Sequence, residues 1–159
     1  RLSAAEWQVA DASVAIGRYF GEPHPDPPLF GRTPKEKALI EMWQRHVEFG
    51  LLIPAQHAFR HFHPAMRDLE VPQVPDWGEA NKSKILSFLT ILEHQLCHHE
   101  LVVRDSYSIA DITAPVGIAS LTLAQVRVPA HLDRSQTPAH LGASRPSTVP
   151  HARWSRPAA

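Results

Sequence analysis

The chain has 159 residues, with 16 basic and 16 acidic side chains and therefore no net charge when histidine is neutral. This length suits one domain with its own core, and the balanced charge gives no field that would draw the chain to nucleic acid or to a membrane. No apolar run approaches the roughly 18 residues of a membrane span. The single cysteine, Cys97, rules out an internal disulfide and favours the reducing cytoplasm.

The first predicted element is a short helix that begins at Ser13. Its apolar residues have helical spacing and are Val14, Ile16, Tyr19 and Phe20. Gly21 and a run of prolines then end the helix, because proline lacks a backbone N–H and restricts the residue before it. We therefore expect residues 22–31 to form an extended linker.

A long helix is predicted from Pro34 to Phe62. Thr33 can cap its N-terminus, Pro34 suits the first helical position, and Glu36 completes a capping box. The predicted buried stripe consists of Leu39, Ile40, Trp43, Val47, Gly50 and Leu51. Because proline removes a helical hydrogen bond, Pro54 is expected to kink this helix.

Two further helices are predicted after a proline-bounded loop. The second long helix runs from about residue 78 to residue 99, and the third from 108 to about 124. The second has an apolar face of Ile85, Phe88, Leu89, Leu92 and Leu96. Residues 133–159 are rich in arginine and proline without periodicity, so we expect a disordered or aberrant tail.

The third helix begins with the most specific local signal, YSIADIT. Ser108 stands at the N-cap and Asp111 three residues later, a spacing that predicts a capping box with aspartate in the usual place of glutamate. Tyr107 and Ile112 occupy the positions of a hydrophobic staple. Taken alone, the motif predicts only a well-capped helix. Inside a core, where an unpaired amide finds no water, it would matter more.

The segment SIADIT resembles the capping motif on the central buried helix of the C-terminal domain of glutathione transferases. SVAIGRY is similar to the end of that family's thioredoxin-like domain, and PDPPLFGRTPKEKALIEMWQRHVEF to its linker and first long C-terminal helix. The resemblance is greatest to bacterial members and covers residues 13–132. It implies an all-α fold, the family's C-terminal helical bundle, preceded by a residual helix of a truncated thioredoxin-like domain.

The resemblance divides the chain into three parts. Residues 1–31 correspond to the remnant of the glutathione-binding domain with its linker, residues 32–132 to the helical domain, and residues 133–159 to the tail. It also implies conjugation of glutathione, as co-substrate, to small hydrophobic electrophiles without a metal. A homodimer is implied too, with Arg18, Tyr19 and the helix from Pro34 near the partner.

The resemblance breaks at the glutathione site. Family members hold the thiolate through a Tyr, Ser or Cys of the thioredoxin-like domain, and only twelve residues precede Ser13 here, so no catalytic residue is assigned. Ser13 matches the serine that binds the γ-glutamyl end of glutathione. The acidic residue expected directly before it is replaced by Ala12, with Asp11 one position earlier. We expect weak or no catalysis by this chain alone.

The resemblance also indicates where an electrophile could bind. In the family the first long helix faces the active-site cleft, which makes pocket candidates of Met42, Arg45, His46 and Phe49. The alternative is that Met42 and Phe49 are core packing and that Arg45 and His46 are solvated, because such stripes usually pack.

Three other interpretations are compatible with the sequence. Histidines spaced i,i+4 suit zinc or iron on a helix, and the candidate donors are His57, His61, His63, His94, His98, His99, Glu93 and Glu100. Cys97 lies near two of these histidines, as in a nucleophilic pair, although its place beside an apolar face predicts a buried, inert thiol. The third interpretation is a non-catalytic helical module for binding or assembly.

Overall fold

The computed structural model describes residues 13–103 and 106–129. Five α-helices lie in these residues: α1 (Ser13–Gly21), α2 (Pro34–Val47), α3 (Ile53–Phe62), α4 (Pro75–His98) and α5 (Ile109–Leu123). A π-helical turn, Glu48–Leu52, joins α2 to α3, and a 3-10 turn, Pro64–Met66, follows α3. The all-α fold is thus confirmed for the described residues. Asp11 and the predicted tail, 133–159, lie outside them.

The α4 helix begins earlier than predicted, at Pro75 instead of residue 78. Proline suits the first helical turn because its fixed φ is helical and its missing N–H is not needed there. The N-cap residue, Val74, has no capping side chain of its own. Its N–H donates instead to Nδ1 of His61 on α3, at 3.1 Å. A histidine thirteen residues upstream therefore takes part in the start of the longest helix.

A π turn directly precedes α3 at Pro54, where the sequence predicts a kink. The N–H of Ile53 donates to the carbonyl of Glu48, one residue further back than in an α-helix. A proline at position 54 cannot donate, and its ring clashes with the carbonyl four residues before it, so the preceding turn widens. The chain continues as α3 without a loop.

The buried stripe of α2 differs from the predicted one at Leu39 and Gln44, and two further predicted members, Trp43 and Gly50, are half-buried. Leu39 is 37% exposed, so its predicted burial is wrong, and Gln44 is buried in the stripe with 1% exposure. The predicted burial of Ile40, Val47 and Leu51 is confirmed. A stripe that includes an amide needs hydrogen-bond partners inside the bundle.

The core lies where α4 and α5 pack against the continuous rod of α2, the π turn and α3. Its buried apolar residues are Ile40, Val47, Leu51, Ala55, Ala58, Ile85, Phe88, Leu89, Leu92, Val102, Val103, Ala110, Ala114, Leu121 and Ala124. None of the helices in the described ranges is long and apolar enough to cross a membrane.

Two glycines allow the helices to approach closely at the π turn. A Cβ on Gly50 would lie 2.4 Å from Cδ2 of Phe88 on α4, and one on Gly117 of α5 would lie 2.7 Å from Cγ of Leu51. Neither separation is compatible with van der Waals packing. The π turn is therefore clamped between α4 and α5.

Candidate functional site

The N-terminus of α5 is a buried hydrogen-bonded cluster. Ser108 and Asp111 are 0% and 1% exposed and form a capping box. The backbone N–H of Ser108 donates to Oδ2 of Asp111 at 2.9 Å, and the Ser108 hydroxyl donates to the same oxygen at 2.8 Å. The other oxygen, Oδ1, accepts from the N–H of Val102 at 2.8 Å. Asp111 thus holds both the start of α5 and the connector from α4.

The predicted staple contributes no comparable burial. Tyr107 is 45% exposed and Ile112 is 38% exposed. Further along α5, Val116 and Leu123 are also exposed, at 54% and 60%. One side of α5 therefore lies outside the core of the described residues, although the opposite side is buried.

A buried amide joins α2 to α5. Nε2 of Gln44 donates to Oε1 of Glu48 at 2.9 Å. Oε1 of Gln44 accepts from the Thr113 hydroxyl at 3.0 Å. The same hydroxyl lies 3.0 Å from the carbonyl oxygen of Ile109. These contacts satisfy the buried amide. Sequence reasoning missed Gln44 because a glutamine in a helix is usually read as surface.

The four pocket candidates, three on α2 and Phe49 in the π turn that follows it, lie together on the side that faces away from the core. At about 100° per residue, Met42, Arg45, His46 and Phe49 lie opposite the stripe that contains Ile40. Met42 is 41% exposed and Phe49 is 61% exposed, so the alternative that they are core packing is wrong. We call this surface, residues 42, 45, 46 and 49, the outward face of α2.

The cation of the outward face is held by two carboxylates. Nε of Arg45 donates to Oε1 of Glu41 at 2.8 Å, and Nη1 donates to Oε2 of Glu48 at 2.5 Å. The hydrogen bond to Glu41 is the main reason that the pKa of Arg45 is raised. The same bond lowers the pKa of Glu41, against the opposing effect of burial. Arg18 of α1 also pairs with Glu41 and so links α1 to α2.

The remaining members of the outward face have few polar contacts. The ring of His46 meets the ring of Trp43 edge to face, with centroids 5.5 Å apart.

Ser13 is the first residue of α1, and Asp11 lies outside the described ranges. The glutathione contact predicted for these two residues therefore stays a prediction.

The histidine pairs make side-chain and backbone contacts within the fold. The rings of His57 and His61 stack with centroids 6.3 Å apart, and those of His94 and His98 lie 4.9 Å apart. Nδ1 of His98 lies 2.9 Å from the carbonyl oxygen of His94. In the part of the chain that the structure describes, no group of three or more His, Cys, Asp or Glu side chains could hold a metal ion.

The predicted burial of Cys97 is wrong, because this cysteine is exposed. It lies one position beyond Leu96, and one helical position turns a side chain by about 100°. Cys97 therefore leaves the apolar side of α4. The neighbouring Leu96 is partly buried and packs against the core.

Comparisons with known proteins give a consistent relationship. No family model matches the chain. The sequence is 32% identical over 117 residues to glutathione S-transferase 2 of Saccharomyces cerevisiae, a match that covers 73% of this chain and 50% of that protein. The chain thus spans about half the length of this curated relative.

Solved structures of the same family share the fold. Gtt2 from Saccharomyces cerevisiae matches with a TM-score of 0.78 and 28% identity, over 86% of this chain and 66% of that one. A glutathione S-transferase of class Gtt2 from Vibrio parahaemolyticus matches with 0.70 and 33%, over 85% and 64%. A glutathione S-transferase domain-containing protein from Marinobacter aquaeolei matches with 0.68 and 35%, over 74% and 58%. Sequence and fold agree: the chain belongs to the glutathione S-transferase family and has the all-α bundle of its C-terminal domain.

Proposed function

We propose that this chain provides the helical half of a glutathione transferase, in which a small hydrophobic electrophile binds beside glutathione. Membership of the family supports glutathione as the co-substrate. The observation that carries the proposal is the outward face of α2, which exposes Met42 and Phe49 on a helix whose other side is fixed in the core.

The chemistry of this face suits an uncharged aromatic ligand. Phe49 offers a ring face for stacking, and the thioether of Met42 is polarizable and adapts to aromatic partners. The charge of Arg45 is offset by Glu41 and Glu48, so the face presents no unpaired cation. A ligand that covers these side chains gains about 25 cal/mol for each Å² of apolar surface removed from water.

Conjugation needs more than a surface that binds the electrophile. The glutathione thiolate must be formed and held in line with the electrophile, and only Ser13 and Asp11 are proposed here as glutathione contacts. We infer that the 159-residue chain binds the electrophile but conjugates it weakly or not at all. Homodimerisation and a cytoplasmic location stay predictions.

The test measures binding and turnover with the same compound, 1-chloro-2,4-dinitrobenzene. The Phe49→Ala variant should bind it about fivefold more weakly than the unmodified chain, because a loss of about 40 Å² of contact corresponds to about 1 kcal/mol. The matched control is Leu69→Ala, since Leu69 is also exposed, at 73%, but lies on the connector between α3 and α4. Binding by this control should be unchanged.

Three outcomes would contradict the proposal. Equal loss of binding in both variants would mean that the outward face of α2 is not the binding surface. Absence of binding by the unmodified chain would favour a non-catalytic assembly module. Glutathione conjugation well above the uncatalysed rate would instead show that the chain contains its own thiolate-holding group.

A further inference from the structure

A cleft of about 370 Å³ lies where the linker passes between α1 and α2. Its lining includes the apolar side chains Pro27, Leu29 and Phe30 and the cations Arg18, Arg32 and Lys37. The volume falls within the range of roughly 300–1,000 Å³ that small-molecule sites have in proteins. The cleft shares no residue with the outward face of α2, and the proposed function does not use it.

The linker wall of the cleft is fixed by backbone contacts. The carbonyl oxygen of Leu29 accepts from the N–H of Ile109 at 3.0 Å, which ties the linker to the first residue of α5. Gly31 has a φ of +81°, and a Cβ there would lie 2.9 Å from the backbone nitrogen of Lys37. Only glycine allows the linker to lie this close to the first turn of α2.

The opposite wall is also well packed. A Cβ on Gly17 of α1 would lie 3.1 Å from an atom of the Phe30 ring, and one on Gly21 would lie 3.4 Å from it, so this ring rests directly on α1. The guanidinium of Arg18 lies over the same ring, 5.1 Å from its centroid, in a cation–π contact. Contacts within the chain therefore fix both walls of the cleft, which lowers the entropy lost on binding.

The charged groups that line the cleft favour an anion. Three cations and one carboxylate, that of Glu22, line the cleft, and two of the cations are paired with carboxylates outside the lining. Arg18 and Arg32 pair with Glu41 and Asp26, each through Nη2, and a guanidinium has further N–H donors. Lys37 has no ion pair among the described residues. Hydrogen-bond donors to an anion are thus available beside an apolar floor.

We propose that this cleft binds a small organic anion with a carboxylate at one end and an apolar ring at the other. The carboxylate is held by Lys37 and Arg32, and the ring lies against Phe30, Pro27 and Leu29. The apolar side chains of the cleft favour such a ligand over inorganic phosphate, because phosphate has no apolar surface to bury against them.

The experiment titrates the full chain with naphthalene-2-carboxylate and, in parallel, with the uncharged naphthalene-2-carboxamide, by calorimetry and by NMR. The carboxamide should bind about tenfold more weakly or worse, because it lacks the charge-assisted hydrogen bonds. Carboxylate binding should weaken as salt rises from about 0.01 to about 1 M, where the screening length falls from roughly 30 to roughly 3 Å. The backbone signals that shift should be those of the linker.

Two lysines of the same helical turn supply a matched pair of variants. Lys37→Gln should weaken carboxylate binding about threefold to tenfold, whereas Lys35→Gln should not, because Lys35 does not line the cleft. Both lysines are exposed, and circular dichroism checks that both variants fold alike. Equal affinity for acid and amide, equal effects of the two variants, signals that shift only outside the linker, or no binding would each overturn the proposal.

Discussion

The N-termini of α2 and α5 carry the same capping motif in opposite surroundings. At α2, Glu36 accepts from the backbone N–H groups of Arg32 and Thr33 at 2.8 and 3.1 Å, and the N–H of Glu36 lies 3.3 Å from Oγ1 of Thr33. These groups are exposed to water. At α5, Asp111 makes bonds of 2.8 to 2.9 Å to Ser108 and Val102, and all of them are buried.

The comparison shows that burial, and not the motif, sets what a cap contributes. When an exposed cap is lost, water replaces the side chain, and stability falls by about 0.5–2 kcal/mol. When a buried cap is lost, each N–H group left unpaired lowers the stability of the fold by about 1–3 kcal/mol. The α5 cap also fixes the connector through Val102, six residues before the N-cap, whereas the α2 cap reaches only Arg32, the residue next to its N-cap.

The sharpest way to break the comparison is Asp111→Ala. This change leaves the N–H groups of Val102 and Ser108 without a partner in a buried site, so we expect a loss of about 3–5 kcal/mol in unfolding free energy. Urea denaturation measures it. The control is Glu36→Ala at the exposed cap, which should have a much smaller effect. Similar losses in the two variants would show that burial does not matter here.

Exchanging the two acidic residue types gives a second test. Asp111→Glu inserts a methylene into a filled site, and we expect a loss of about 2 kcal/mol from overpacking and misplaced oxygens. Glu36→Asp should change stability little, because the exposed cap can rearrange in water. If Asp111→Glu had no effect in urea denaturation, the buried site would be looser than its short hydrogen bonds indicate.

Removing the hydroxyl group should also lower stability more at the buried cap than at the exposed one, but by a smaller margin than removing the carboxylate. Ser108→Ala removes a buried hydrogen bond to Asp111 and should lower the unfolding free energy by about 1–2 kcal/mol. Thr33→Ala should lower it by about 0.5–1 kcal/mol. Thermal unfolding of the two variants under one set of conditions gives the order, and the reverse order would contradict it.

The smallest expected effect is the pH dependence of the exposed cap. Backbone hydrogen bonds, first from Thr33 and then from Arg32, lower the pKa of Glu36. Because the folded pKa is below the unfolded one, the stabilisation is present above the unfolded pKa and is lost as pH falls through the folded pKa. Carboxyl NMR measures the titration. The control is Thr33→Gly, which removes the side chain but keeps the backbone N–H at this position. A midpoint in the folded chain at or above the ordinary glutamate value would contradict the prediction.

Local sequence signals predicted the helix ends well. The starts of α2 and α5 follow from Thr33, Pro34 and Ser108, since a capping residue acts within one turn of itself. The start of α4 did not follow, because it has no side-chain cap and the N–H of its N-cap residue, Val74, donates to His61 of another helix. The bond between Val102 and Asp111 was also not predictable, since it depends on the path of the connector.

Packing between helices limited the prediction of the candidate site. Helical periodicity together with the family resemblance placed Met42 and Phe49 on the same side of α2, but it could not decide between core and surface. The ion pairs of Arg45 follow helical spacing, i,i+4 to Glu41 and i,i+3 to Glu48, but the pairing of Glu41 with Arg18 is not local in sequence. The linker cleft was not predicted at all, because a proline-rich segment carries no signal for what it packs against.

The most direct test of a buried start to α5 is native-state hydrogen exchange of four amides. The N–H groups of Val102 and Ser108 should exchange only through opening close to global unfolding, because Asp111 holds both inside the core. Those of Arg32 and Thr33 should exchange through local fraying, orders of magnitude faster. Comparable protection of the two pairs would contradict the difference in burial between the caps and, with it, the burial of the N-terminus of α5 in the bundle.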